Sequence, residues 1–217
     1  MREIHMDKMK NGAALRNGTQ RTAKEVFEKY AIVIAFLALL IVVSILCSSF
    51  LTPSNLILVL NQTSINGILA VGITYVLITA GIDISIGSVV GLSGVISAMV
   101  VKAGAPLPVG FLCGILAGTL VGVIIGILVT KGKLAPYIVT LGFLTIIRGA
   151  ALLIAGGRPI SSLGDAYGWI GNHNVFGVIP CPVIIFLIVV VIGHIILAHL
   201  QIGRYIYAVG GNSNAAE

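Results

Sequence analysis

Thr79-Ala80-Gly81-Ile82-Asp83-Ile84-Ser85-Ile86-Gly87-Ser88 sets a single carboxylate inside almost fifty otherwise apolar residues. An Asp at the centre of a bilayer costs roughly 2.5–3.5 kcal/mol even on a lenient insertion scale. The stretch must therefore end a membrane span or break one. In the first reading, Gly81 closes one helix and Asp83 or Ser85 caps the next from the interface. In the second, the segment is a broken helix inside a bundle, and its free amides and Asp83 face a solvated cavity. Both readings need membrane helices on either side.

The flanking sequence supplies them. Six long apolar stretches run near 31–51, 56–80, 85–102, 108–130, 137–156 and 176–200. Each is close to the roughly 20 residues that a helix needs to cross hydrocarbon, and without water the backbone must satisfy itself as helix. The separators carry breakers or charge: Thr52-Pro53-Ser54-Asn55, the Asp83 segment, 102–108, Lys131-Gly132-Lys133 and a longer loop over 157–175. Composition agrees. Of 217 residues 58% are hydrophobic and 9% charged, against roughly 25% charged in a soluble domain. Eleven of the twenty charges fall in the first thirty residues, and between 31 and 200 the only acids are Asp83 and Asp165. The fold class is all-α integral membrane, a polytopic bundle of about six transmembrane helices with a broken or capped junction near Asp83. Residues 1–30 form a basic tail whose 22–30 portion suits a short amphipathic surface helix. Residues 31–200 form the bundle, and 201–217 a polar segment beyond it.

Lysine and arginine orient the chain. With the N-terminus cytoplasmic, seven tail residues plus Lys131, Lys133 and Arg204 lie inside, against Lys102 and Arg158 outside. The net charge of +6 is then a cytoplasmic tail and not a nucleic-acid surface, because no basic patch interleaved with aromatics occurs elsewhere.

Span four carries Gly110, Gly114, Gly118, Gly122 and Gly126, five glycines at four-residue spacing on one slowly drifting stripe. Such stripes let a second helix approach closely, and Gly87 with Gly91 gives span three a shorter version. Arg148 lies inside span five, where a guanidinium must pair, snorkel or face water; Asp83 is the one carboxylate in or near a span available to it. Asp83, Ser85 and Arg148 are thus the structural or pathway polar residues. His194 and His199 are five apart, on different helix faces by their spacing, and with His173 they make no metal site. Cys47, Cys113 and Cys181 lie in apolar runs without CxxC spacing and read as small hydrophobes. No nucleophile–base set and no phosphate loop can be assembled, so the chain reads as no enzyme, and any ATP hydrolysis must come from a partner.

Three segments together resemble the ribose-type permeases of ATP-binding-cassette (ABC) importers, within the broader monosaccharide and branched-chain amino-acid permease family. They are Gly81-Ile82-Asp83-Ile84-Ser85-Ile86-Gly87-Ser88; Leu134-Ala135-Pro136-Tyr137-Ile138-Val139-Thr140-Leu141-Gly142 leading to Arg148-Gly149; and Gly203-Arg204-Tyr205-Ile206-Tyr207-Ala208-Val209-Gly210-Gly211-Asn212. The resemblance spans about residues 30–217. It implies an inner-membrane permease subunit that moves a small polar solute, a monosaccharide, along a path formed with a second permease copy. It also implies a cytoplasmic ABC ATPase, which binds the ATP and magnesium, and an extracytoplasmic solute-binding protein. Gly203, Arg204, Tyr205, Gly210, Gly211 and Asn212 then belong to the segment that couples to the ATPase. Members of the family continue past this segment, so the chain reads as truncated at Glu217. Three rivals stand beside this reading: a non-transporting remnant, an ion-coupled secondary transporter relying on Asp83, and an intramembrane enzyme, for which no converging groups are found.

Overall fold

The computed structural model describes residues 29–175 and 177–212. The basic tail up to residue 28, the surface helix expected over 22–30 apart from its last two residues, and residues 213–217 lie outside the described residues. The chain divides into two units, residues 1–56 and 57–217.

In the first unit, α1 (Lys29–Leu46) has a mean hydropathy of 2.7 and is apolar around its whole circumference, as a helix in hydrocarbon should be. It ends in a turn tied by its own side chains. Thr52 Oγ1 donates to the Ser49 carbonyl at 2.7 Å, and Asn55 Nδ2 to that of Phe50 at 2.7 Å. Pro53, read as part of a separator, is the first residue of α2 (Pro53–Ile78), where its missing N–H costs nothing and its fixed φ suits the helix.

The second unit holds most of α2 and then α3 (Ile86–Lys102), α4 (Leu107–Thr130), α5 (Pro136–Ile154), α6 (Asp165–Asn172), a hairpin of β1 (Asn174–Val175) and β2 (Ile179–Pro180), α7 (Cys181–His199) and α8 (Gln201–Gly211). Among the described residues five helices, α1, α2, α4, α5 and α7, are long and apolar enough to cross a membrane. The third expected span is shorter. At 17 residues, α3 rises about 26 Å, less than the ~30 Å of hydrocarbon, and the non-helical residues 81–84 precede it.

Besides α1, which ends at Leu46 and not near 51, and α2, which starts at Pro53 and not near 56, three boundaries differ from expectation. The loop over 157–175 contains α6 and the first strand. Span six starts at Cys181, because the residues before it pair in the hairpin (Asn174 with Pro180, Val175 with Ile179). The segment after α7 is helical through Gly211. Each of these pieces is too short for a membrane-length hydropathy window to detect.

The packing of the second unit centres on α3, α4 and α5. A Cβ on Gly110 would meet Val101 and, at 3.1 Å, the Ser97 carbonyl; one on Gly114 would meet the Ser93 carbonyl at 2.8 Å; one on Gly118 would meet Ser93 Oγ at 2.8 Å. Rising numbers on α4 meet falling numbers on α3, so these two helices run antiparallel. Ser88 Oγ on α3 donates to the Leu144 carbonyl on α5 at 2.9 Å, and Thr140 reaches Ile82 just before α3, so α3 and α5 run parallel. Alongside, Gly67 and Gly193 let α2 and α7 meet. A Cβ on Gly67 would strike the Phe186 ring, one on Gly193 would lie 3.0 Å from Val71 Cγ1, and Tyr75 donates its hydroxyl to the Gly193 carbonyl at 2.9 Å. The break at 79–85, the 131–135 turn and α8 therefore share one end of this unit, and α6 with the hairpin marks the other.

Candidate functional site

The α2–α3 break is built from side chains satisfying backbone that helix geometry leaves open. After Ile78 the chain turns through Ala80 at φ 59°, and the Gly81 N–H returns to the Val76 carbonyl at 2.9 Å. The left-handed position expected of Gly81 is thus held by Ala80. Gly81 is needed for space instead, since a Cβ there would sit 3.0 Å from Val76 Cγ1 and 3.2 Å from the Val76 carbonyl. Asp83 Oδ1 then accepts two hydrogen bonds from Ser85, from its N–H at 2.8 Å and its hydroxyl at 2.6 Å. Ser85 is fully buried at the N-cap of α3, yet its hydroxyl makes no capping bond to the backbone. The carboxylate two residues earlier takes the open amide, and the serine hydroxyl serves the carboxylate. The two alternatives combine, because the helix is interrupted over 81–84 and Asp83 supports the restart.

Two residues quoted only as parts of motifs hold the break to α5. Thr140, 2% exposed, directs its hydroxyl to the Ile82 carbonyl at 3.2 Å and its own Tyr137 carbonyl at 3.3 Å; one proton serves both. The Ser88–Leu144 bond follows. Hydroxyls in otherwise apolar helices were the available signal, since they commonly bond across helices in membranes.

The α8 helix abuts the same break. Gly203, Ile206 and Gly210 line one stripe, with Gly203 buried, while Arg204, Tyr205 and Tyr207 are exposed. A Cβ on Gly203 would strike the carbonyls of Ile196 and Leu197 at the end of α7. One on Gly210 would overlap the Ile78 carbonyl and lie 3.5 Å from Thr79 Cα. Both glycines therefore permit backbone contact that no other residue allows. Gly211 faces open space, and the Asn212 N–H donates to the Ala208 carbonyl at 3.0 Å.

Other expected residues fall differently. Arg148 does not pair with Asp83. Thr140 lies beside the break, and Arg148 is eight residues further along α5, a rise of about 12 Å. Among the described residues it makes no ion pair or hydrogen bond, and it lines a cavity of about 740 Å³ between α3, α5 and the following loop. The α4 ladder divides: Gly110, Gly114 and Gly118 face α3, while Gly122 and Gly126 have nothing within 4 Å of an added Cβ. Gly87 and Gly91 likewise meet nothing, and Gly91 borders the Arg148 cavity. His194 and His199 are not apart. Their rings meet edge-on with centroids 5.9 Å apart at the end of α7. Among the described residues no three His, Cys, Asp or Glu side chains cluster as a metal site.

The sequence matches the family model described as branched-chain amino acid transport system / permease component over residues 55–217. The Bacillus subtilis ribose import permease protein RbsC is 42% identical over 192 residues, covering 88% of this chain and 60% of that protein. The Haemophilus influenzae ribose import permease protein RbsC is also 42% identical over 192 residues, covering 85% and 58%. The Escherichia coli D-allose transport system permease protein AlsC is 35% identical over 195 residues, covering 88% and 59%. The chain spans about three-fifths of the length of these relatives. No solved structure matches it.

Proposed function

The chain belongs to the family of branched-chain amino acid transport system permease components, and from that premise we propose that it is a non-catalytic membrane subunit of an ABC importer carrying a monosaccharide. The similar proteins named for ribose and D-allose support that substrate class. The partners in this reading are an ABC ATPase that binds ATP and magnesium, a second permease copy and an extracytoplasmic solute-binding protein. The basic tail and α8 lie on the cytoplasmic side, in keeping with the positive-inside rule.

The observation that carries the reading is the two-sided character of α8. Its glycine side rests on Ile78 and Thr79 at the break, and its other side exposes Arg204, Tyr205 and Tyr207. A segment of this kind can take a displacement from a soluble partner and pass it to the membrane helices without a flexible linker. Gly203 and Gly210 set how closely it lies, Arg204 and Tyr205 make the docking contact, and Gly211 and Asn212 close the helix. Asp83, Ser85 and Thr140 then keep the α2–α3 junction in register with α5 while it moves, and Arg148 faces a cavity on the solute side.

Arg204→Glu tests the docking role. Recovery of the ATPase with the tagged permease should fall about tenfold, as expected when a charge-assisted contact is reversed, while the amount of permease in the membrane stays unchanged. Equal loss of both would remove the docking role. Uptake that persists without the ATPase would replace the ABC reading with the ion-coupled one.

A further inference from the structure

The cavity between the second halves of α3 and α5 has an unusual charge balance. Its helix walls are apolar, with Gly91, Gly94, Val95 and Ala98 on one side and Ala151 and Leu152 on the other, and two arginines border it, Arg148 from within α5 and Arg158 from the loop beyond. No Asp or Glu lines it, and among the described residues neither arginine has an ion pair or hydrogen bond. Within 31–200 the chain has only two acids. Asp83 is engaged at the far end of α3 by Ser85, and Asp165 lies outside the cavity lining. Arg148, within a membrane span, is costly unless it reaches the interface or something outside the chain neutralises it, and Arg158 is exposed on the loop beside it.

The space explains itself in the same terms. The Ser88–Leu144 bond draws α3 and α5 together in their first halves. Beyond it, Gly91 and Gly94 offer no side chain, an added Cβ on either would touch nothing, and the volume opens to about 740 Å³. That is room for a headgroup and more than a bare ion needs. Arg148 is six residues from the end of α5, about 9 Å of rise, so an extended arginine can serve a ligand at the level where the span meets the interface. Guanidinium forks match phosphate oxygens in geometry and charge.

We propose that this cavity binds a phosphate group held between Arg148 and Arg158. The phosphate comes from a phospholipid headgroup or from a free phosphate. The inference rests on the α3–α5 geometry and does not depend on what the protein transports.

The full chain, purified and stripped of lipid in a neutral detergent, is titrated while its thermal unfolding is followed. Three probes are used: dihexanoyl phosphatidylglycerol, inorganic phosphate, and dihexanoylglycerol, which lacks phosphate. A phosphate-bearing probe should raise the melting temperature and dihexanoylglycerol should not. Arg148→Gln and Arg158→Gln should each weaken the response about tenfold, the effect of losing one charge-assisted contact. Stabilisation by the phospholipid alone identifies a lipid site, and equal stabilisation by inorganic phosphate identifies a soluble anion. The proposal is overturned if dihexanoylglycerol stabilises as well as the phospholipid, if no probe acts, or if the variants titrate like the parent. Arg158 is exposed on a loop, so Arg158→Gln decides the matter even where Arg148→Gln does not fold.

Discussion

The two halves of α4 carry the same glycine spacing and have opposite surroundings. Toward its start, Gly110, Gly114 and Gly118 lie against the backbone and side chains of α3. Toward its end, Gly122 and Gly126 would accept a Cβ without touching anything. A small-residue stripe permits close approach but does not summon a neighbour. Here α3 begins only at Ile86, because the chain before it is non-helical through the Asp83 break, and its contact with the ladder stops at Val89 opposite Gly118. The break that lets α2 reach α8 is thus also what leaves the second half of the α4 stripe uncovered by α3.

The largest effect that would sharpen this contrast is steric. Gly114→Val should destabilise by about 3 kcal/mol, because the added atoms meet the Ser93 carbonyl, a backbone group that cannot swing aside. Gly122→Val should change stability by less than about 0.5 kcal/mol. Reversible unfolding of the two variants in mixed micelles measures both. Equal losses would mean that something outside this chain covers Gly122. Two neutral outcomes would mean that α3 and α4 are free to separate.

A smaller effect is expected where the break meets α5. Thr140→Val keeps the shape and removes the hydroxyl, so the part-buried Ile82 carbonyl loses this partner. The expected cost is about 1–2 kcal/mol. It should appear as faster amide exchange at residues 81–84, with α4 exchange unchanged. Uniform acceleration through α4 as well would mean that the break and the α3–α4 contact unfold together, and the contrast between the two halves of α4 would dissolve.

How much of this could be read from residues alone follows from the length of each signal. The six apolar helices are legible because apolar runs of that length have one solution in lipid, although α3 is shorter than a full span and the starts at Pro53 and Pro136 lie ahead of the expected 56 and 137. The α8 helix was legible as a segment but not as a helix, since Gln201-Ile202-Gly203-Arg204 has the composition of a connector and its helical state shows only where Gly203 and Gly210 face inward. The Asp83 segment was half legible. A carboxylate there demands an explanation, but whether Asp83 or Ser85 takes the open amide depends on a turn of two residues. For Arg148 the choice among pairing, snorkelling and facing water stayed open, because sequence gives neither the parallel course of α3 and α5 nor the offset that keeps it from Asp83. Nothing in a glycine repeat says which of its members will be covered.

The smallest effect concerns how the covered half is closed over. Tyr167, from the loop helix α6, stacks on Phe111 with ring centroids 5.6 Å apart and donates to Ser97 Oγ at 3.1 Å. Ser97 is the α3 residue whose carbonyl lies beside Gly110 and whose Cβ lies beside Gly114, so the tyrosine hydroxyl is tied directly to the tightest part of the α3–α4 contact. Tyr167→Phe removes that bond and keeps the stack. Hydroxyls bonded between helices in membranes contribute about 0.6 kcal/mol on average, and a loss of that size is expected, with α6 loosening and α3–α4 unchanged. Limited proteolysis within residues 157–175 should quicken while the unfolding midpoint barely moves. If the midpoint instead falls as far as in Gly114→Val, the close approach of α3 and α4 is imposed from above by α6 rather than permitted by the glycines, and the difference between the two halves of α4 would have to be ascribed to the loop.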